Sequence, residues 1–170
     1  MKTRKWGYPD WLALFFVAGV LLGTGAARLF GPSVLREQGT AAVLAAGSGS
    51  WELYWPVLRH RLLQTAAGWM MGMTICSAWL FCLAAAWAGI YAAVVLSLLT
   101  AGRGILGLPI FLCGLLPHGL FYGMVWWILA AWAGGEEKRT RLLPFLLLEA
   151  FTALGAGAQV WLAPLLTAWF

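Results

Sequence analysis

Residues 62–102 read LLQTAAGWMMGMTICSAWLFCLAAAWAGIYAAVVLSLLTAG, 41 residues without a single charge. Wound as one α-helix, such a run would be about 60 Å long, roughly twice the hydrocarbon thickness of a bilayer. The segment therefore has to cross a membrane twice and turn back in between. The turn carries no proline or charge; the small-residue stretch from Ala84 to Gly89, flanked by Trp79 and Trp87, is the expected site. That reading places crossings at about 63–83 and 86–101.

The rest of the chain agrees in character. Of its 170 residues, 62% are apolar and only 10% charged, and the mean hydropathy is +0.83, far outside the range of water-soluble domains. In a bilayer the backbone must satisfy its own hydrogen bonds. The long unbroken apolar runs lack the alternation of a barrel strand, so the expected fold is all-α, a polytopic helix bundle of about five transmembrane helices with one or two interfacial or re-entrant helices. The formal charge of +5 sits in short clusters at the ends of apolar runs, which is a topology signal and a lipid-headgroup contact rather than a nucleic-acid surface. Cys76, Cys82 and Cys113 have neither CxxC nor Cys/His spacing, and are read as small packing residues.

Outward from the opening stretch, a first span is expected at 11–28, after Lys2, Arg4 and Lys5. A cleaved signal peptide ending near GTGAA competes with it. Retention is favoured by the length of the run and by Gly19 and Gly23, a small-xxx-small packing face; Gly68 and Gly72 repeat that spacing, and Gly123 is a further packing glycine. An outer loop is expected over 29–61, its second half, WELYWPVLRHRL, forming an interfacial helix with Pro56 near its start. Ile105 to Phe111 is expected as a short amphipathic or re-entrant piece before a fourth span at 112–133, kinked near Pro117. The charged link GGEEKRTR precedes a fifth span at 143–168. With the basic groups at 2–5 and 138–141 on the inside, the N-terminus is cytoplasmic and the C-terminus outside.

Two residues within these spans could carry chemistry. Glu149 is the one acid inside an expected span; it reads either as a proton or ion relay or as a carboxylate snorkelling towards Arg141. His118 could titrate near neutrality, but it has no nucleophile or carboxylate near it in sequence, so it reads as a hydrogen-bonding group at the Pro117 break. No catalytic, cofactor or metal-ligating pattern is present in the sequence, and no cofactor is expected.

The order of elements carries a resemblance. FVAGVLLGT, LRHRLLQTAAGW and above all GLLPHGLFYGMVWWIL, with Pro117-His118-Gly119 at its centre and a charged loop and apolar span after it, resemble the stage II sporulation protein M family over essentially the whole chain. Where many of its members carry an acid after the His-Gly pair, this chain has Phe121 and Tyr122. The resemblance implies a bacterial cytoplasmic membrane protein of the engulfment machinery in endospore formation. It implies a non-enzymatic scaffold that anchors peptidoglycan-remodelling partners on the outer side, a membrane-anchored amidase and a lytic transglycosylase.

In this chain the docking surface is expected around Trp51, Glu52, Trp55, Arg59 and Arg61, and Pro117, His118 and Gly119 form the family motif and hinge. Membrane lipids, and further copies of the chain, complete the expected partners. A different class stays open: a small transporter or permease subunit with a polar path through Pro117, His118 and Glu149.

Overall fold

The computed structural model describes residues 7–29, 51–135, 142–163 and 165. The basic clusters at 2–5 and 138–141, most of the expected outer loop and the end of the last expected span lie outside the described residues. Five α-helices account for nearly all the rest: α1 (Tyr8–Leu29), α2 (Trp51–Met73), α3 (Ser77–Arg103), α4 (Gly107–Ala133) and α5 (Leu142–Gly157). A 3₁₀ turn, Gly104–Leu106, joins α3 to α4, and a π-helical turn, Ala158–Leu162, continues α5. There is no strand among the described residues.

Local chemistry sets the helix ends. At the start of α1 the Asp10 carboxylate accepts from the Gly7 backbone N–H at 2.9 Å, the reciprocal half of a capping box, with Pro9 in the first turn where its missing N–H costs nothing. Between α3 and α4 the chain reverses through Gly104 at φ 61°, a left-handed conformation that favours glycine. Gly107 then sits against the backbone of Leu99 and Thr100, so closely that any side chain would collide with it.

The turn between α2 and α3 lies at 74–76, not at 84–89 as expected. A hydroxyl bond and a backbone bond make it: Thr74 donates its Oγ1 proton to the Met71 carbonyl at 2.7 Å, and the Ser77 backbone N–H donates to the Thr74 carbonyl at 3.2 Å. Buried Ser77 ties the turn to the end of α4 by donating Oγ–H to the Ala133 carbonyl at 3.1 Å. Consequently the helix boundaries at 83–86 do not exist; α3 runs unbroken through Gly89, and Trp87 projects outward from mid-helix. The expected separate piece at 105–111 is likewise replaced: only 104–106 forms a 3₁₀ turn, and α4 is continuous from Gly107 through Pro117.

Contacts along the helices fix their directions. Gly19 packs on Ala86 and Gly23 on Ile90 and Ala93, so α1 and α3 run parallel. Trp51 meets Trp161 and Trp69 meets Phe145, so α2 and α5 are antiparallel. The helices thus alternate up and down. One end of the bundle holds Tyr8, the 74–76 turn and Gly134, whose Cα packs beneath the Tyr8 ring; the other holds Leu29, Trp51, the 104–106 turn and Leu162.

The apolar core lies towards the first end, around Phe81, Val125, Leu129, Ala133 and Leu148. Gly72 lets the Trp132 ring approach α2, and that ring stacks on Trp69 with centroids 4.6 Å apart. Much of the outer surface is also apolar, with Leu21, Leu22, Leu120, Trp127 and Leu154 all exposed, which is far more apolar area than a water-facing bundle presents. Among the described residues three helical stretches are long and apolar enough to cross a membrane: Tyr8–Leu29, the 57-residue run Ser77–Ala133 that contains both α3 and α4, and Leu143–Leu162. Helix α2 is not among them.

Candidate functional site

Helix α2 stays outside that set because its first half is polar: Glu52, Arg59 and His60 are exposed, whereas Arg61 faces inward. Arg61 turns towards α4 and α5, where its guanidinium lies 4.5 Å above the centre of the Tyr122 ring. It donates to Gln64 Oε1 at 3.1 Å and to Gln159 Oε1 at 3.3 Å. Gln159 Oε1 also accepts the Tyr122 hydroxyl proton at 3.2 Å. On α2 itself, Gln64 Nε2 lies 3.0 Å from His60 Nε2. An amide nitrogen can only donate, so His60 Nε2 is the acceptor and its ring proton, in the neutral form, sits on Nδ1. The result is a directed chain of hydrogen bonds from α2 to α5, in which every glutamine oxygen points at Arg61.

The π-helical turn contains the α5 member of this chain. The Ala163 N–H reaches back to the Ala158 carbonyl, a widening by one residue that is rare and concentrates at functional positions. Around the cluster, Tyr54 donates to the Ala153 carbonyl at 3.5 Å and packs on Trp161, centroids 5.0 Å apart. One layer nearer the first end, Thr65 and Thr152 face each other at 2.9 Å, both almost completely buried.

His118 borders the same cluster. Its ring stands edge-on to Tyr122, centroids 5.8 Å apart, within electrostatic reach of Arg61. Its Nδ1 is buried without a hydrogen-bond partner, so the expected bond to the freed carbonyl at the Pro117 break is absent. Glu149 is not brought to His118. It lies ten residues before Gln159, about 15 Å along α5, and its Oε2 is also buried and unpartnered. Arg141, its expected partner, lies outside the described residues.

The remaining expected residues divide clearly. Trp51, Glu52, Trp55 and Arg59 are exposed on α2, whereas Arg61 is half-buried and points inward, so it leaves the expected docking surface and joins the interior. Gly19, Gly23, Gly68 and Gly72 are buried where helices meet. Gly123 faces open space, and Gly119 has only Leu115 of its own helix nearby, so neither brings α4 against another helix. Cys82 is buried and Cys113 half-buried, but Cys76 lies exposed in the 74–76 turn.

Sequence reasoning passed over Gln64, Tyr122 and Gln159. The signal for them was present: each is a polar group inside an otherwise apolar run, where an unpaired amide or phenol is costly and so implies a partner. Among the described residues no group of three or more metal-ligating side chains exists. No protein-family model, curated protein or solved structure matches the chain.

Proposed function

We propose that this chain crosses the bacterial cytoplasmic membrane five times, N-terminus inside and C-terminus outside. In this reading it acts as a non-enzymatic scaffold for peptidoglycan-remodelling proteins during engulfment, as the family it resembles does. The observation that carries the reading is the outward face of α2. Trp51 and Trp55 are 69% and 65% exposed beside exposed Glu52 and Arg59, on a helix end braced from behind by Tyr54 and Trp161. Rigid aromatic anchors with flanking charges are the make-up of a protein-binding surface. Alternation of the five helices puts this face at the end away from Tyr8, which is the outer end when the N-terminus is inside.

The competing permease reading needs Pro117, His118 and Glu149 on one path, and Glu149 lies beyond the Thr65–Thr152 layer from His118. Affinity purification from native membranes tests the scaffold: a wall amidase or lytic transglycosylase should co-purify, and Trp51→Ala with Trp55→Ala should abolish its recovery while His118→Leu leaves it unchanged. Co-purification of ATPase subunits instead would overturn the proposal.

A further inference from the structure

We propose that the inward side of Arg61, with Gln159 and His118, is a binding site for a small oxyanion, a carboxylate or phosphate, held between α2, α4 and α5. The inference goes beyond the scaffold reading and does not depend on it.

The first support is a missing counter-charge. The Arg61 guanidinium faces the space between the helices, above the Tyr122 ring and bonded to two glutamines. Both glutamines are neutral. No carboxylate pairs with Arg61 among the described residues, and Glu149 lies about 15 Å along α5 from Gln159. A cation turned into an apolar bundle is ordinarily paired. Here the described residues supply no opposite charge.

The second support is that the unspent capacity of the cluster consists of donors. Gln159 Oε1 accepts from both Arg61 and Tyr122, which fills its two lone pairs, and Gln64 Oε1 accepts from Arg61. The oxygens are thus committed. A guanidinium has five N–H donors in a flat fork, and only those to Gln64 and Gln159 are used. The Gln159 amide nitrogen, on the same carbon as the oxygen that faces Arg61, makes no bond among the described residues. A surplus of N–H groups calls for a ligand that only accepts, and a flat fork suits the paired oxygens of carboxylate or phosphate.

The third support is placement. His118 stands at the edge of the same cluster, edge-on to Tyr122, with Nδ1 buried and unpartnered; that nitrogen donates or accepts according to the tautomer the ring adopts. Gln159 is carried by the π-helical turn, a local departure from α geometry that concentrates at functional positions. Gln64 is held by its bond to His60 and Gln159 by the Tyr122 hydroxyl, so the fork is set before any ligand arrives. Arg61, His118, Tyr122 and Gln159 each keep part of their surface exposed. The cluster therefore opens to the surface instead of being sealed in the core.

The test uses the purified full chain in neutral detergent, titrated at constant ionic strength with sodium phosphate, sodium acetate or sodium chloride. Calorimetric titration and thermal unfolding are read together. Phosphate or acetate should bind saturably and raise the melting temperature, whereas chloride should not; the tighter of the two oxyanions tells phosphate from carboxylate. Arg61→Gln should weaken binding by about tenfold, the loss of one charge-assisted fork. Arg103→Gln, which removes an exposed cation at the same end of the bundle, should weaken it less than about twofold. Gln159→Glu sets a carboxylate of the same shape against the guanidinium, so the protein then supplies its own counter-charge. That variant should melt higher than wild type without oxyanion and lose its response to phosphate and acetate, and it decides the matter even where Arg61→Gln fails to fold. Absence of saturable binding by either oxyanion, equal losses with Arg61→Gln and Arg103→Gln, or an undiminished response in Gln159→Glu would each overturn the site.

Discussion

Thr65 donates a hydrogen bond to Thr152 across 2.9 Å between α2 and α5. The direction follows from Thr152, whose own proton goes to the Leu148 carbonyl at 2.9 Å, leaving its oxygen free only to accept. With both side chains no more than 3% exposed, neither hydroxyl has water to turn to. Replacing Thr152 by Val should destabilise the bundle by about 1 kcal/mol, and a double-mutant cycle with Thr65→Val should return a coupling of similar size. Unfolding in mixed micelles measures it; a coupling of zero would remove this bond from the account.

Close backbone approach holds α1 to α3. A methyl group at Gly19 would collide with the Ala86 backbone and one at Gly89 with that of α1, whereas one at Gly25 would meet nothing within 4 Å. Gly19→Ala and Gly89→Ala should each cost about 2 kcal/mol or more, and Gly25→Ala should stay within about 0.5 kcal/mol of wild type. Thermal unfolding of the three variants in one detergent checks the contrast.

Gly72 lies under the ring of Trp132, which stacks on Trp69 at an interplanar angle of 16°. A Cβ at residue 72 must push that ring away. Gly72→Ala should therefore weaken the near-ultraviolet circular dichroism of the stacked indole pair with little change in helix content, while Gly123→Ala should leave both signals intact.

These contacts show which parts of the fold were legible in the sequence. Apolar runs longer than a bilayer and paired glycines announce helices that turn back and pack closely, and a helical bundle with contacts at Gly19, Gly23, Gly68 and Gly72 is what the structure contains. The turn at 74–76 was not legible, because it depends on the Thr74 and Ser77 hydroxyls bonding to the backbone, and the same residue types sit comfortably inside helices elsewhere in the chain, as Thr24 and Thr100 do. Arg61 was misplaced for a related reason. In sequence it belongs with Arg59 and His60 in a polar patch, and only the rotation of α2 against α4 and α5 turns one arginine outward and the other towards Gln159.

Glu149 has a buried carboxylate oxygen with no hydrogen-bond partner. If that group has no role, Glu149→Met should leave stability unchanged or raise it by about 1 kcal/mol, since an unpaired polar atom is replaced by an apolar side chain of similar length. Unfolding midpoints and partner recovery should be measured together. A stabilised variant that no longer recovers the proposed wall-remodelling partner would mark Glu149 as functional.

Five alternating helices that each cross the membrane would place the 74–76 and 104–106 turns on opposite faces, and site-directed labelling tests this most directly. Cys76 is exposed in the first turn, and Ile105 is 92% exposed in the second. With Cys82 and Cys113 replaced by Ala, an impermeant maleimide should label Cys76 in inverted vesicles but not in intact spheroplasts. Ile105→Cys, with Cys76 also replaced by Ala, should label in spheroplasts but not in inverted vesicles. Labelling of both positions from the same side would contradict the proposed five-crossing bundle and, with it, the outward placement of the proposed α2 docking face.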